Sequence, residues 1–408
     1  MMKKMILPVA LAAVFSGAIM FGDSGQAASN FTDINGHWAE SYLQEGVSKG
    51  YLNGYEDGTI RPDNTITRAE YISLLTRVTS REASEGSGYR FADTAGHWSR
   101  ENAYKGINLG FLQVDDFPDG FHPDQNINRW ELIKWAVNGL LKTNDTYVKA
   151  YNDSKSTLIP SPEGFKGELS EEQVPYIAVA MGTELIDGYE DGTLRLDGTA
   201  TRAEVMKILT WYQGLEKKNA TDFLGMRELM AVGTEGTNLF ELTDFRPSID
   251  PNTKEKDRFS NIVNRRLETK TDIGDIRINR MIAVDAKNVA EYTGIYGKVF
   301  MPATYYASGI VVFAQYTLIP SSDEFQINTF SGASEDGFST SFVGKLNKGD
   351  GILEYGIKTI PHKLNPFKKG QTEVFWSYKS LSSNFVYSIS CEGGVWMTIA
   401  VPSSVLKD

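Results

Sequence analysis

The chain has 408 residues, enough for two or three domains of ordinary size. Hydrophobic residues make up 41% and charged residues 23%, which supplies a core and excludes a wholly disordered, collagenous or polytopic membrane protein. A formal net charge of -11 argues against general nucleic-acid binding, and the single cysteine, Cys391, excludes an intramolecular disulfide framework. The acidic excess is confined to residues 29–212, with 17 Lys+Arg against 28 Asp+Glu; residues 213–408 hold 22 and 23. The two halves differ in kind.

Residues 1–28 read as an export address. Lys3 and Lys4 precede an apolar run from Met5 to Phe21, and Gln26-Ala27-Ala28 supplies the small-residue end of a signal peptide. The competing reading is a membrane anchor, but the run of about 17 residues sits at the lower limit of the roughly 20 that a span needs.

A repeat follows. Phe31-Thr-Asp-Ile-Asn-Gly-His37-Trp38 returns as Phe91-Ala-Asp-Thr-Ala-Gly-His97-Trp98, an offset of 60. Gly54-Tyr55-Glu56-Asp57-Gly58-Thr59 returns as Gly188-Tyr189-Glu190-Asp191-Gly192-Thr193, and Thr67-Arg68-Ala69-Glu70 as Thr201-Arg202-Ala203-Glu204, both at an offset of 134. The middle copy carries Asn128-Arg129-Trp130-Glu131. Each unit predicts helix, loop, helix. Trp38, Ala39, Tyr42, Leu43 and Val47 share one helical face, Gly50 is a stop, and Thr67-x-x-Glu70 is a capping box for the second helix. Units of this size cannot bury both faces alone, so the three are expected to pack as one domain.

Arg68, Arg129 and Arg202 fall at the first position of a capped helix, beside free amide donors, where a guanidinium fork matches a carboxylate. Trp38 and Trp98, with Tyr55 and Tyr189, offer flat surface for a sugar ring, and Gly54 and Gly188 would allow close backbone approach. Each has a plain competitor: the arginines as ion-pair partners of nearby acids, the tryptophans as core. Asp57, with Asp33, Asp93 and Asp191, reads as a turn organiser, and His37 and His97 as supporting partners without metal-ligand spacing.

These motifs resemble the surface-layer homology (SLH) family over residues 31–212. The resemblance implies three motifs, at 29–80, 89–142 and 165–215, forming an all-α pseudo-threefold domain without a cofactor. Its implied partner is secondary cell-wall polysaccharide on peptidoglycan, often pyruvylated, which would hold an exported protein non-covalently on a Gram-positive-type wall. Arg68, Trp38, Gly54, Asp57, Arg129, Trp98, Arg202 and Gly188 are the expected polysaccharide contacts, with one or two working grooves and the most intact set in the first copy. The third copy departs: a gapless alignment puts Gly167 opposite Asp33 and Glu171-Glu172 opposite His37-Trp38. The second copy has Val114 where the first has Gly54, and Trp130 where it has Ala69.

Residues 143–164, with Pro160-Ser-Pro162, are expected to be a linker loop over the surface, and 216–276 a mixed connecting region containing a helix at Asp222–Met230. From 277 to 408, eight short runs rich in β-branched and aromatic residues predict a mainly-β domain, an antiparallel sandwich. The runs are 299–301, 309–318, 325–330, 338–342, 352–357, 374–378, 385–389 and 396–401. This half has no nucleophile elbow, zinc-protease motif or phosphate loop, and Cys391 reads as a small buried hydrophobe. No catalytic residue or metal ligand is assigned. The expectation is an exported, non-enzymatic surface protein, free of nucleic acid and, once its signal is removed, of membrane, with other surface proteins as further partners. The rivals are a wall-anchored glycan or peptidoglycan hydrolase and a surface-layer lattice subunit.

Overall fold

The first turn of a helix leaves amide donors that the helix cannot use, and in this protein three such turns share one solution. The computed structural model describes residues 31–83, 88–248, 257–286, 294–300, 309–323, 330, 333–334, 336, 338–341, 352, 354–360 and 367–402. The export segment lies outside these.

The helices that open the three Arg-bearing motifs are α2 (Arg68–Val78), α4 (Arg129–Leu140) and α8 (Arg202–Leu215), each with the expected capping box. The capping side chains Thr67, Asn128 and Thr201 take the third amide of each helix. The first two amides leave the repeat. Arg68 and Ala69 donate to Gln125 and Pro123, Arg129 and Trp130 to Gly198 and Leu196, and Arg202 and Ala203 to Asn64 and Pro62. Each helix start is thus satisfied by the turn of the next repeat, and the third returns to the first. Just before the caps, a ring of backbone bonds closes the circle: Ile66 N–H to Ala200 O at 3.2 Å, Ala200 N–H to Ile127 O at 3.1 Å, Ile127 N–H to Ile66 O at 3.0 Å. The ring is dry, because all three residues are buried.

The first helices of the repeats are α1 (Glu40–Ser48), α3 (Arg100–Asn108) and α7 (Gln173–Gly182). They pack onto the ring of second helices, α1 against α8 and α3 against α2. Two carboxylates fasten the intervening turns: Asp33 accepts from the amides of Ile60 and Arg61, and Asp93 from His122. In the third copy Glu163 does this work, accepting from Leu194 and Arg195 at 2.7 and 3.3 Å. Arg61, His122 and Arg195 hold φ of 56°, 50° and 49°, a left-handed conformation that costs a residue with a Cβ and that these bonds offset. The degenerate copy therefore keeps the turn and takes its carboxylate from a different place.

The expected linker over 143–164 is not a loop. It contains α5 (Asp145–Asp153) and α6 (Pro162–Lys166). Tyr147 and Ala150 of α5 are fully buried, and Ser161 caps α6 with Pro162 at its first position. Helix α9 (Leu224–Glu235) packs on α5 and α7, extending the helical layer past the repeats, and a short α10 (Leu239–Leu242) follows.

Among the described residues the β structure is two three-stranded antiparallel sheets, ordered β2-β3-β4 and β1-β6-β5. The strands are β1 (Arg246–Pro247), β2 (Gly274–Asp285), β3 (Ile310–Pro320), β4 (Glu373–Leu381), β5 (Tyr387–Cys391) and β6 (Val395–Ala400). The chain is thus mixed, helices with two small sheets, and the eight expected runs need correction. Residues 299–300 belong to the single-turn helix α11 (Gly297–Phe300), and the described residues of 338–342 and 352–357 are turns. Of 325–330 only Phe330 is described. β2 was not among the runs.

A register shift between Ile278 and Arg280 inserts one residue into β2 and reverses its side-chain parity. Ile276 and Ile278 before it, and Met281 and Ala283 after it, all enter the core shared with the second sheet. Ile282 and Val284 turn the other way, into the core of the helical half, where Phe313 and Trp376 join them. The large sheet is therefore covered on both faces by separate cores, and the core on one face runs without a break into the helical half. Phe300 is the hinge pin of that shared core: fully buried, stacked on Phe313 at 4.3 Å, with Trp376 at 5.5 Å and Phe165 of the third repeat at 5.8 Å. Truncating it to alanine is expected to cost about 3–5 kcal/mol. Amide signals of both halves should then melt together at a lower temperature; loss confined to the sheets would contradict the shared core.

Candidate functional site

The cyclic bonding decides which residues can meet. Because each helix start lies on the next repeat's turn, a groove draws on all three copies, and the residues expected to form one site within the first copy are dispersed. Among the described residues one cavity, of about 460 Å³, gathers the expected residue types. It is lined by Trp38 and Asp63 of the first copy and Arg129 of the second. The third copy supplies Asp187, Gly188, Tyr189, Glu190, Glu204 and Lys207.

Trp38 stands 57% exposed, so its indole is a surface and not core. His37 fixes it in place: Nδ1 accepts from the amide of Ala39 at 3.1 Å, which leaves the Nε2 proton to donate to Asp63 at 3.2 Å. The histidine thus supports the helix start and the ring beside it, as does His97 with Ser99 and Asp124 in the second copy.

Arg129 is largely buried. Its Nε donates to Leu194 O at 3.0 Å and Nη1 to Glu204 Oε1 at 2.9 Å, while the guanidinium lies over Tyr189, 4.6 Å from the ring centre. Nη2 has no partner among the described residues. The expected two-pronged carboxylate clamp is therefore reduced to a single donor, since the rest of the fork stitches one repeat to the next. Lys207 adds a second cation at the wall, paired with Asp187 at 2.9 Å.

The other two arginines are likewise held by neighbouring repeats. Arg68 pairs with Glu131 and donates Nη1 to Phe121 O at 2.9 Å; it does not meet Trp38, Gly54 or Asp57 of its own copy. Arg202 donates to Ile60 O and Asn53 O and lies over Tyr55 at 5.1 Å. Glu131 and Glu204, which close the capping boxes of α4 and α8, also receive Arg68 and Arg129 respectively. Gly54 is bare for packing reasons: a Cβ there would sit 2.2 Å from the ring of Phe31. Gly188 does line the cavity. Trp98 is 46% exposed on the equivalent face of the second copy, away from this cavity. Sequence reasoning missed Lys207 and Asp187; the signal for Lys207 was its place three residues after Glu204, on the same face of α8.

Asp57 and Asp191 are turn organisers. The hydroxyl of Thr59, then the Arg61 guanidinium, holds the Asp57 carboxyl down to about 2, and Thr193 and Arg195 do the same for Asp191. Both values lie below the roughly 3.9 of an unfolded aspartate, so their contribution to stability is complete above that pH and is lost as pH falls through about 2. Carboxyl carbon shifts followed by NMR should give midpoints near 2 for both residues. Midpoints near the free value would mean the turns are not held this way.

A cavity that combines an exposed indole, a tyrosine, two cations and several carboxylates is suited to a polyhydroxylated ligand, and the fold that presents it is a ring of helical repeats. Residues 30–72 match the S-layer homology domain. The chain is 34% identical over 137 residues to cell surface glycoprotein 1 of Acetivibrio thermocellus, an alignment covering 30% of this chain and 6% of that protein. It is 35% identical over 85 residues to the cellulosome-anchoring protein of the same organism, covering 21% and 19%. With an S-layer protein of Bacillus licheniformis it is 28% identical over 155 residues, covering 37% and 17%. Enzymes are matched as well, an exoglucanase and an amylopullulanase among them. The chain thus spans less than a fifth of the length of these three relatives. Together the domain match and the cell-surface relatives support an extracellular, wall-associated location. Among the described residues no helix is long and apolar enough to cross a membrane.

Proposed function

We propose that residues 31–212 form three S-layer homology motifs, and that they anchor the chain by holding secondary cell-wall polysaccharide in the Trp38–Arg129 groove. The observation that carries this reading is the meeting, in one cavity, of the exposed Trp38 indole with Arg129 and Lys207 from the other two repeats. A sugar ring would lie against the indole, with its hydroxyls donating to Asp187, Glu190 and Glu204. An acidic substituent, taken here to be a pyruvate ketal, would meet Lys207 and the spare Nη2 of Arg129. The lining carries more acids than cations, so attraction to an anionic polymer is a short-range matter of these two groups and not a long-range field. The β-bearing half would then be held at the wall by the same attachment, since it shares the helical core.

Retention of the full chain on purified walls tests the reading. Trp38→Ala and Lys207→Ala each remove an exposed or partly exposed side chain and should weaken retention about tenfold, equivalent to about 1.4 kcal/mol. Walls stripped of secondary polysaccharide should retain little of any form. Arg68→Ala should lower stability through the stranded Glu131 carboxylate while leaving polymer affinity unchanged. Equal retention of the Trp38 and Lys207 variants with the unaltered chain would remove this groove from consideration. A wall-held glycan hydrolase is the second reading, supported by the enzymes among the matches, and release of reducing ends from walls by the full chain would carry it.

A further inference from the structure

The pseudo-threefold places Lys134 where Lys207 stands: each is the sixth residue of its helix, after Arg129 and Arg202. It also places Glu172 where Trp38 stands, at the offset of 134. The two sites are otherwise unlike. Lys207 has one carboxylate, Asp187, and lines an open cavity. Lys134 is buried and bonds two carboxylates, Asp116 at 2.7 Å and Glu172 at 2.6 Å. Its ammonium also lies 5.8 Å from the centre of Trp130 and 5.9 Å from that of Tyr176. Trp130 packs edge-on against Tyr176, and Tyr151 of the inserted helix α5 packs against Tyr176 from another side, ring centres 5.1 Å apart.

We propose that Glu172 is an internal stand-in for a polymer acid group: its carboxylate occupies the cation of the second groove and, with Trp130 and Tyr151, closes that groove to wall polymer. The chain then engages polymer at the Trp38 groove and not at its Lys134 counterpart. The second clause rests on the function proposed above; the closure does not. Where the working groove has an indole that offers a stacking face and leaves its lysine one bond short, the closed one has a carboxylate that removes the face and completes the lysine. An incoming acid would have to displace a partner already tethered to the same fold. Burial alone would lower the pKa of Lys134, but the hydrogen bonds it donates to Asp116 and Glu172 outweigh it and raise it, so the free amine is scarce.

Lysine acetylation of the folded full chain by an N-hydroxysuccinimide ester, resolved residue by residue by mass spectrometry, tests both clauses. The probe is polysaccharide released from the wall. Lys134, buried and held by two carboxylates, should react several-fold more slowly than Lys207, which has one and faces the open cavity. Polymer should protect Lys207 and leave Lys134 unaltered. Glu172→Ala and Glu172→Gln, substitutions at a half-exposed side chain, should speed labelling of Lys134 several-fold. Reaction of Lys134 as fast as Lys207, or a Lys134 rate indifferent to both substitutions, would overturn the closure. Protection of Lys134 by polymer in the unaltered chain would overturn it as well. Slow, Glu172-dependent Lys134 with a Lys207 that polymer fails to protect would uphold the closure and instead sink the polysaccharide reading of the Trp38 groove, together with the clause that depends on it.

Discussion

Everything in the helical half depends on where the leading amides of three helices find acceptors. A capping side chain satisfies one donor per helix, and water could have satisfied the rest. Instead the next repeat's turn supplies two carbonyls each time, and the ring through Ile66, Ala200 and Ile127 fixes the three caps around a buried centre. Because the bonding is cyclic, no repeat is complete alone: each needs one neighbour to receive its helix start and another to fill its own turn. The buried guanidiniums follow from the same constraint. An arginine at the first helical position is pointed at the neighbouring turn, and Arg129 and Arg202 spend their Nε on equivalent carbonyls, Leu194 and Ile60.

That geometry converts a repeat into a composite site. The Trp38 cavity is walled by the first, second and third copies at once, so its shape depends on the closure of the repeats. It also lets sister grooves diverge. One residue at the Trp38 position changes a stacking surface into a charge partner for Lys134, and an insertion between repeats adds Tyr151 to the cover. The other half is not an appendage on this scaffold. The large sheet presents Ile282, Val284, Phe313 and Trp376 to the helices, and the aromatic group around Phe300 reaches Phe165 of the third repeat.

The sequence announced the repeats, the caps and the turn aspartates, because these are local: a threonine and a glutamate three residues apart satisfy each other wherever they fall. It could not announce which repeat receives which arginine, since those bonds join residues more than fifty positions apart. Two misses were readable. Tyr147, Ala150 and Tyr151 lie at helical spacing in α5, and Ser161-Pro162 is a helix start that brings Glu163 onto the third turn in place of the absent aspartate. β2 escaped for a physical reason: Asp275, Arg277 and Arg280 dilute its apolar pattern, and the register shift after Ile278 breaks the alternation that would have marked it. Gly54 misled because a glycine beside a turn looks the same whether it makes way for a ligand or for the ring of Phe31.

The cyclic closure can be measured directly by amide hydrogen exchange at Ile66, Ile127 and Ala200. If the ring opens only when the three repeats come apart, the three amides should exchange at the rate of global unfolding, with protection equal to within about threefold. Independent rates, with any one of them exchanging by local opening while the others stay protected, would contradict a closed ring and with it the composite groove.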